Sequence, residues 1–169
     1  MYIPFDKVNN IGFISTRFSG TDGVSLETEK WARVFEEEGF QCFYFAGELD
    51  RSPSQSHLVP TAHFLDPDIR FIFNAAFAHH SNGVRTRQLT NKIYDLKEHL
   101  KDALYDFIAK FKIDLLIPEN ALTIPLNIPL GLAITEVISE TGLPTIAHHH
   151  DFFWERLQFK TNSVWDYLN

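Results

Sequence analysis

Ile11–Trp31 reads IGFISTRFSGTDGVSLETEKW. Ile11, Phe13 and Ile14 supply a short apolar strand. Gly20 and Gly23 flank Thr21 and Asp22 and allow backbone angles closed to other residues. Ser25 is placed to cap the helix that follows. Strand, glycine loop and helix in this order predict an α/β domain. The N-terminus of such a helix carries unpaired N–H groups and a partial positive charge, which suits a phosphate or another polar ligand. The pattern is neither GxGxxG nor a Walker loop, and it has no P-loop lysine. An ordinary tight strand-to-helix turn has the same residues.

C-terminal to this stretch, Leu26, Trp31, Val34 and Phe35 mark the expected inner face of the first helix, with Gly39 just past its end. Phe40 to Ala46 is a continuous apolar run, as in a parallel strand buried on both faces. A short third strand is expected within His57 to Phe64, although Pro60 weakens it. Asp68 to Phe77 is expected to be helical, and His79 to Gly83 forms a polar break. Leu89, Ile93, Leu96, Leu100, Leu104, Ile108 and Phe111 recur at helical steps and predict a long amphipathic helix ending near Lys112. Asp114 to Pro118 reads as a strand with Glu119 and Asn120 at its C-terminal end. Leu130, Ile134, Val137 and Ile138 line another helix, with Pro129 in its first turn and Gly142 past its end. Thr145 to Ala147 begins a further strand that runs into His148, His149, His150 and Asp151. The tail is expected to be partly helical. Alternating strands and helices imply a mostly parallel, Rossmann-like sheet with helices on both faces and ligands at the C-terminal strand ends.

The 169 residues suit a single domain with a substantial core. The chain carries 15 basic and 22 acidic residues, a net charge of −7. That balance argues against nucleic acid or an anionic membrane surface as a partner. One cysteine, Cys42, rules out an internal disulfide. Its setting, FQCFYF, reads as a buried strand. No apolar run reaches a membrane span and no signal peptide is visible, so a cytoplasmic location is expected.

Three adjacent histidines and an aspartate invite a metal reading. Side chains alternate along a strand, so His148 and His150 would share a face and His149 would point away and pack inward. Two ligands on one face are too few for a closed zinc site without help from elsewhere, and no metal is assigned. Hydrogen bonding to sugar hydroxyls or phosphate is the sharper alternative, with one imidazole as donor or charge stabiliser. His57, His63, His79, His80 and His99 are scattered and expected at the surface. Glu29 and Glu37 have the spacing E-x7-E, but they lie among other glutamates on an expected solvated helix face.

Three segments together resemble a known family. They are GTDGVSLETEKWARVFEEEGFQCFYFAGELD (20–50), PENALTIPLNIPLGLAITEVISETGLPTIAHHHDFFWER (118–156) and NSVWDYL (162–168). They resemble the N-terminal, acceptor-side domain of bacterial retaining glycosyltransferases with the GT-B architecture, the large family that includes sucrose and trehalose-type synthases. The resemblance implies that Gly20, Thr21, Asp22, Gly23 and Ser25 form a loop closing over the donor diphosphate. It implies that Glu119, Asn120 and Asp151 line the acceptor site, and that His148 or His150 is catalytic, approaching the transferred sugar. No metal or cofactor is implied; the donor substrate is a nucleotide sugar. In the family, NSVWDYL is followed by one more strand and then by a donor-binding domain with its own E-x7-E motif. Neither lies within these 169 residues. The chain is therefore expected to be a truncated product, half of a split enzyme or a fragment, inactive without a donor domain from another chain. A missing strand would leave an open sheet edge, so a homo-oligomer or a partner chain is expected. A non-catalytic sugar- or phosphate-binding module and a metal-dependent hydrolase are the alternatives.

Overall fold

The computed structural model describes residues 7–77 and 84–168. The polar break at His79 to Gly83 lies outside the described residues. Four strands, β1 (Asn10–Ile14), β2 (Gln41–Ala46), β3 (Ser56–Leu58) and β4 (Leu115–Pro118), form one all-parallel sheet in the order β3-β2-β1-β4. The helices are α1 (Gly23–Glu37), α2 (Pro67–Phe77), α3 (Arg87–Phe111), α4 (Ile128–Thr141) and a short α5 (Trp165–Leu168). Among the described residues no helix is long and apolar enough to cross a membrane.

Side-chain alternation divides the core across the sheet. Phe13, Tyr44 and Ile117 pack with Ala32 of α1 on one face. Ile14, Phe45 and Leu116 pack with Leu104 and Phe107 of α3 and Leu130 of α4 on the other. The α/β class and the helices on both faces are as the periodicity predicts. A Cβ at Gly12 would come within 2.8 Å of the Phe107 ring, so α3 lies against the sheet where β1 has no side chain. Phe153, Phe159 and Val164 of the tail pack with residues of α2, α3 and α4, and the tail is partly helical as expected, with two 3-10 turns before α5.

The first helix departs from expectation at both its cap and its face. Asp22, not Ser25, is the N-cap: its Oδ1 accepts from the Val24 and Ser25 N–H groups at 3.1 and 3.2 Å. The buried residues are Ser25, Thr28 and Ala32, whereas Leu26 and Val34 are 43% and 58% exposed. Small side chains at these positions let the helix lie close to the sheet, and Trp31 and Phe35 pack at its flank. The Thr28 hydroxyl is satisfied by the Val24 carbonyl at 2.8 Å, so its burial leaves no donor unpaired.

The expected strand at Thr145–Ala147 is present as two bridges, Leu116 to Thr145 and Glu119 to His148. Both have the same parallel offset. Leu116 N–H donates to Pro144 O, Ile146 N–H to Leu116 O, His148 N–H to Pro118 O and Asn120 N–H to His148 O. The absent rung is the one that Pro118, which has no N–H, would donate to Ile146. The segment therefore lies where a fifth strand belongs, and proline at 118 divides its ladder.

His57 and His63, expected at the surface, are instead half-buried. The His57 ring stacks on Phe45 at 5.7 Å and meets Phe107 edge-on at 5.9 Å. His63 is half-buried against Phe64, with Nε2 3.3 Å from Glu48. His99 is exposed, as expected. Cys42 is fully buried, and burial pushes its thiol up to about 12.

Two stability effects follow. Burial alone would raise the Asp22 pKa, but hydrogen bonds from Ser25 and Val24 and the nearby Arg17 outweigh it and hold the carboxyl below its ordinary value. A depressed carboxyl stabilises the fold above its unfolded pKa and loses that contribution as pH falls through the folded one. Asp22→Ala should lower unfolding free energy by about 1 kcal/mol at neutral pH. In urea denaturation the difference from wild type should shrink once pH falls below about 4. Burial, with Lys110 nearby, holds the His57 pKa below 6.5. The unfolded chain then binds a proton there that the folded chain does not, so stability declines as pH falls below that value. His57→Phe keeps the aromatic packing and should flatten the decline between about pH 6.5 and 5. An unchanged slope would contradict the burial argument.

Candidate functional site

The parallel strands end together, and β4 carries the chemistry at its end. Glu119 is 1% exposed. Its N–H donates to Ile14 O at 2.8 Å, and its carbonyl accepts from the Ser15 hydroxyl at 3.3 Å. The next residue, Asn120, has φ 57°, a left-handed conformation that asparagine tolerates better than most residues. That turn aims its side chain across the sheet edge. Asn120 Oδ1 accepts from the His150 N–H at 2.7 Å, and Nδ2 donates to Asp151 at 3.5 Å. Asp151 in turn accepts from Arg156 Nε at 2.7 Å and pairs with its terminal nitrogen.

These bonds set the histidines around Glu119. His148 Nδ1 is 2.8 Å and His150 Nε2 3.2 Å from the same Glu119 oxygen, Oε2. The His148 ring stacks on Trp31 of α1 at 4.4 Å, and the two histidine rings are 4.7 Å apart. His149 turns the other way. Its Nδ1 is 3.4 Å from the Thr123 hydroxyl, its ring meets Phe152 edge-on, and burial lowers its pKa. Alternation along the strand thus places the three rings as the sequence suggests.

A cavity of about 210 Å³ opens beside this cluster at the ends of β1 and β4. Arg17, Asp22, Val24, Phe64, Glu119, Asn120 and Arg156 are among its lining residues. Arg17 is paired with Asp22 at 3.2 Å and lies over the Phe64 ring. Asp22, Glu119 and Asn120 therefore reach one cavity, and Asp151 adjoins it through Asn120 and Arg156. Gly20, Thr21 and Gly23 are exposed and are not among its lining residues. The Gly20 N–H already donates to Asp50 at 2.8 Å. Ser25 is buried, its hydroxyl donating to Asp22 at 2.8 Å and accepting from the Ser19 N–H at 3.1 Å.

The helix N-terminus is thus closed by a carboxylate of its own loop. An anion approaching it would meet Asp22 first, which opposes a direct phosphate cradle in this conformation. Sequence reasoning missed Trp31, Arg17, Phe64 and Arg156. Arg17 was reachable, because it stands just beyond the apolar strand. Arg156 closes the HHHDFFWER run. Phe64 depends on how β3 leads into the following turn, which has no local signal.

The chain is 26% identical over 160 residues to the mannosylglucosylglycerate synthase of Petrotoga mobilis, covering 94% of this chain and 35% of that protein. It is 27% identical over 146 residues to the mannosylglucosylglycerate synthase of Thermotoga maritima, covering 86% of this chain and 32% of that protein. The chain thus spans about a third of the length of these curated relatives. No family model and no solved structure matches it. An all-parallel α/β domain similar along nearly its whole length to two glycosyltransferases fits a glycosyltransferase domain.

Proposed function

We propose that this chain is the acceptor-side part of a nucleotide-sugar-dependent hexosyltransferase of the GT-B architecture. The similarity to two mannosylglucosylglycerate synthases over most of the chain carries the proposal. The cavity at the strand ends supports it, because ligands of open parallel sheets bind there. Asp22, Asn120 and Asp151 offer acceptors and donors for sugar hydroxyls, while the buried Glu119 carboxylate faces the histidines. The imidazoles of His148 and His150, held by Glu119, serve as positioning and charge-stabilising groups toward a departing phosphate. Asp22 at the helix N-terminus assigns that loop to hydroxyl binding in the conformation described. The Gly20–Ser25 loop closes over a donor diphosphate only if Asp22 swings away.

The donor nucleotide is held by a second domain, supplied by further chain or by a partner. Turnover then requires both parts, since proximity of donor and acceptor is most of what such an enzyme provides. The purified chain, assayed with uridine, guanosine and adenosine diphosphate sugars and glucosylglycerate as acceptor, should bind the acceptor in saturation-transfer NMR. It should transfer no sugar above background. Transfer by the pure chain that is abolished by His150→Ala would overturn the division of labour. No binding of any glycosylated acceptor would overturn the acceptor assignment.

The sheet edge bears on assembly. The outward N–H groups of Thr145 and Ala147 have no partner among the described residues, and Ile146 is 37% exposed. Such an edge recruits another strand. Light scattering at micromolar concentration should show a dimer or larger species. A monodisperse monomer would contradict this.

A further inference from the structure

Glu119 presents a problem of charge. Its carboxylate is fully buried, yet among the described residues no lysine or arginine pairs with it. A buried carboxylate needs a counter-charge or a full set of hydrogen bonds. Glu119 Oε1 has no hydrogen-bond partner among the described residues. Oε2 shares a hydrogen bond with His150 Nε2 at 3.2 Å, but its 2.8 Å contact with His148 Nδ1 does not have hydrogen-bond geometry, and that buried nitrogen has no hydrogen-bond partner among the described residues. Two atoms this close, neither aimed at the other, are arranged like donors converging on a third atom. His150 Nε2, at 3.2 Å, is the third member, and the donor atoms all lie within 4.8 Å of one another.

We propose that Glu119, His148 and His150 bind one divalent transition-metal ion. Two imidazoles and one carboxylate are a zinc-type donor set, and they disfavour magnesium and calcium, which take oxygen ligands. Donor atoms at about 2.0–2.1 Å around a four-coordinate zinc stand about 3.3 Å apart, so on binding the 2.8 Å pair must part and the widest pair, within 4.8 Å, must close. Three protein ligands leave one coordination position open. The Asn120 hydrogen bond to the His150 backbone and the Trp31 stack on His148 already fix both ligand-bearing groups. The ion would outweigh the one buried negative charge, leaving a net positive site open to an anion, and would tie the 148–150 segment to the end of β4. The metal site stands on geometry alone and does not rest on the glycosyl-transfer proposal.

Equilibrium dialysis of the purified chain against micromolar zinc, with metal content measured directly, tests this. We expect one ion per chain. Glu119→Gln, His148→Ala and His150→Ala should each weaken uptake at least about tenfold, and His99→Ala should not. His150 is exposed, so its alanine variant keeps the fold, which circular dichroism verifies. Cobalt in place of zinc should give the intense visible bands of a four-coordinate site in the wild type and lose them in His150→Ala. Uptake well below one ion per chain, or uptake undiminished by His150→Ala and Glu119→Gln, would overturn the proposal. Neither readout involves sugar transfer, so a failure here leaves the glycosyl-transfer proposal separately testable.

Discussion

The left-handed turn at Asn120 is the constraint on which the candidate site depends. β4 ends there because Asn120, at φ 57°, redirects the chain just after the last rungs to its neighbour. The side chain so exposed holds His150 and Asp151, while the Asn120 N–H holds the His148 carbonyl. One residue thereby fixes a segment that is distant in sequence but adjacent in the sheet. Without its side chain, His150 and Asp151 would lose their anchor, although the backbone pairing of His148 with β4 would remain. A left-handed residue costs little for asparagine and more for most others, so the local strain and the assembly of the site have one source.

Much of the architecture was legible because it follows from periodicity. The long run from Leu89 to Phe111 has a single apolar stripe, and it became α3 with Lys112 left-handed just beyond its end. Asn127 caps α4, Pro129 sits in its first turn and Gly142 ends it with φ 65°. The first helix was less legible. Hydrophobicity favoured Leu26 and Val34 for its inner face, but close packing on the sheet favoured Ser25, Thr28 and Ala32. Small residues give no hydrophobic signal, so a face chosen by close approach is hidden from periodicity.

The site shows the same division. Strand-end logic singled out Asp22, Glu119, Asn120 and Asp151, and these residues meet in space. It could not show that Asp22 occupies the helix N-terminus offered to a phosphate, because Asp22 and Ser25 are equally good caps in a sequence. Nor could it show that Glu119 is the partner of both His148 and His150. That contact spans about thirty residues and exists only because β4 and the 144–148 segment are parallel neighbours. His57 was misplaced for a related reason: Phe45 and Phe107, from other elements, cover its ring, and His63 is partly covered by its neighbour Phe64.

Everything proposed for the site rests on the 144–150 segment being hydrogen-bonded to the end of β4. Residue-resolved amide hydrogen exchange by NMR measures this directly. Slow exchange is expected for the N–H groups of Ile146, His148, Asn120 and His150, which donate into that junction. Exchange at unstructured rates for His148 and Asn120 would mean that the histidines are not held at Glu119, and the site as described would not exist.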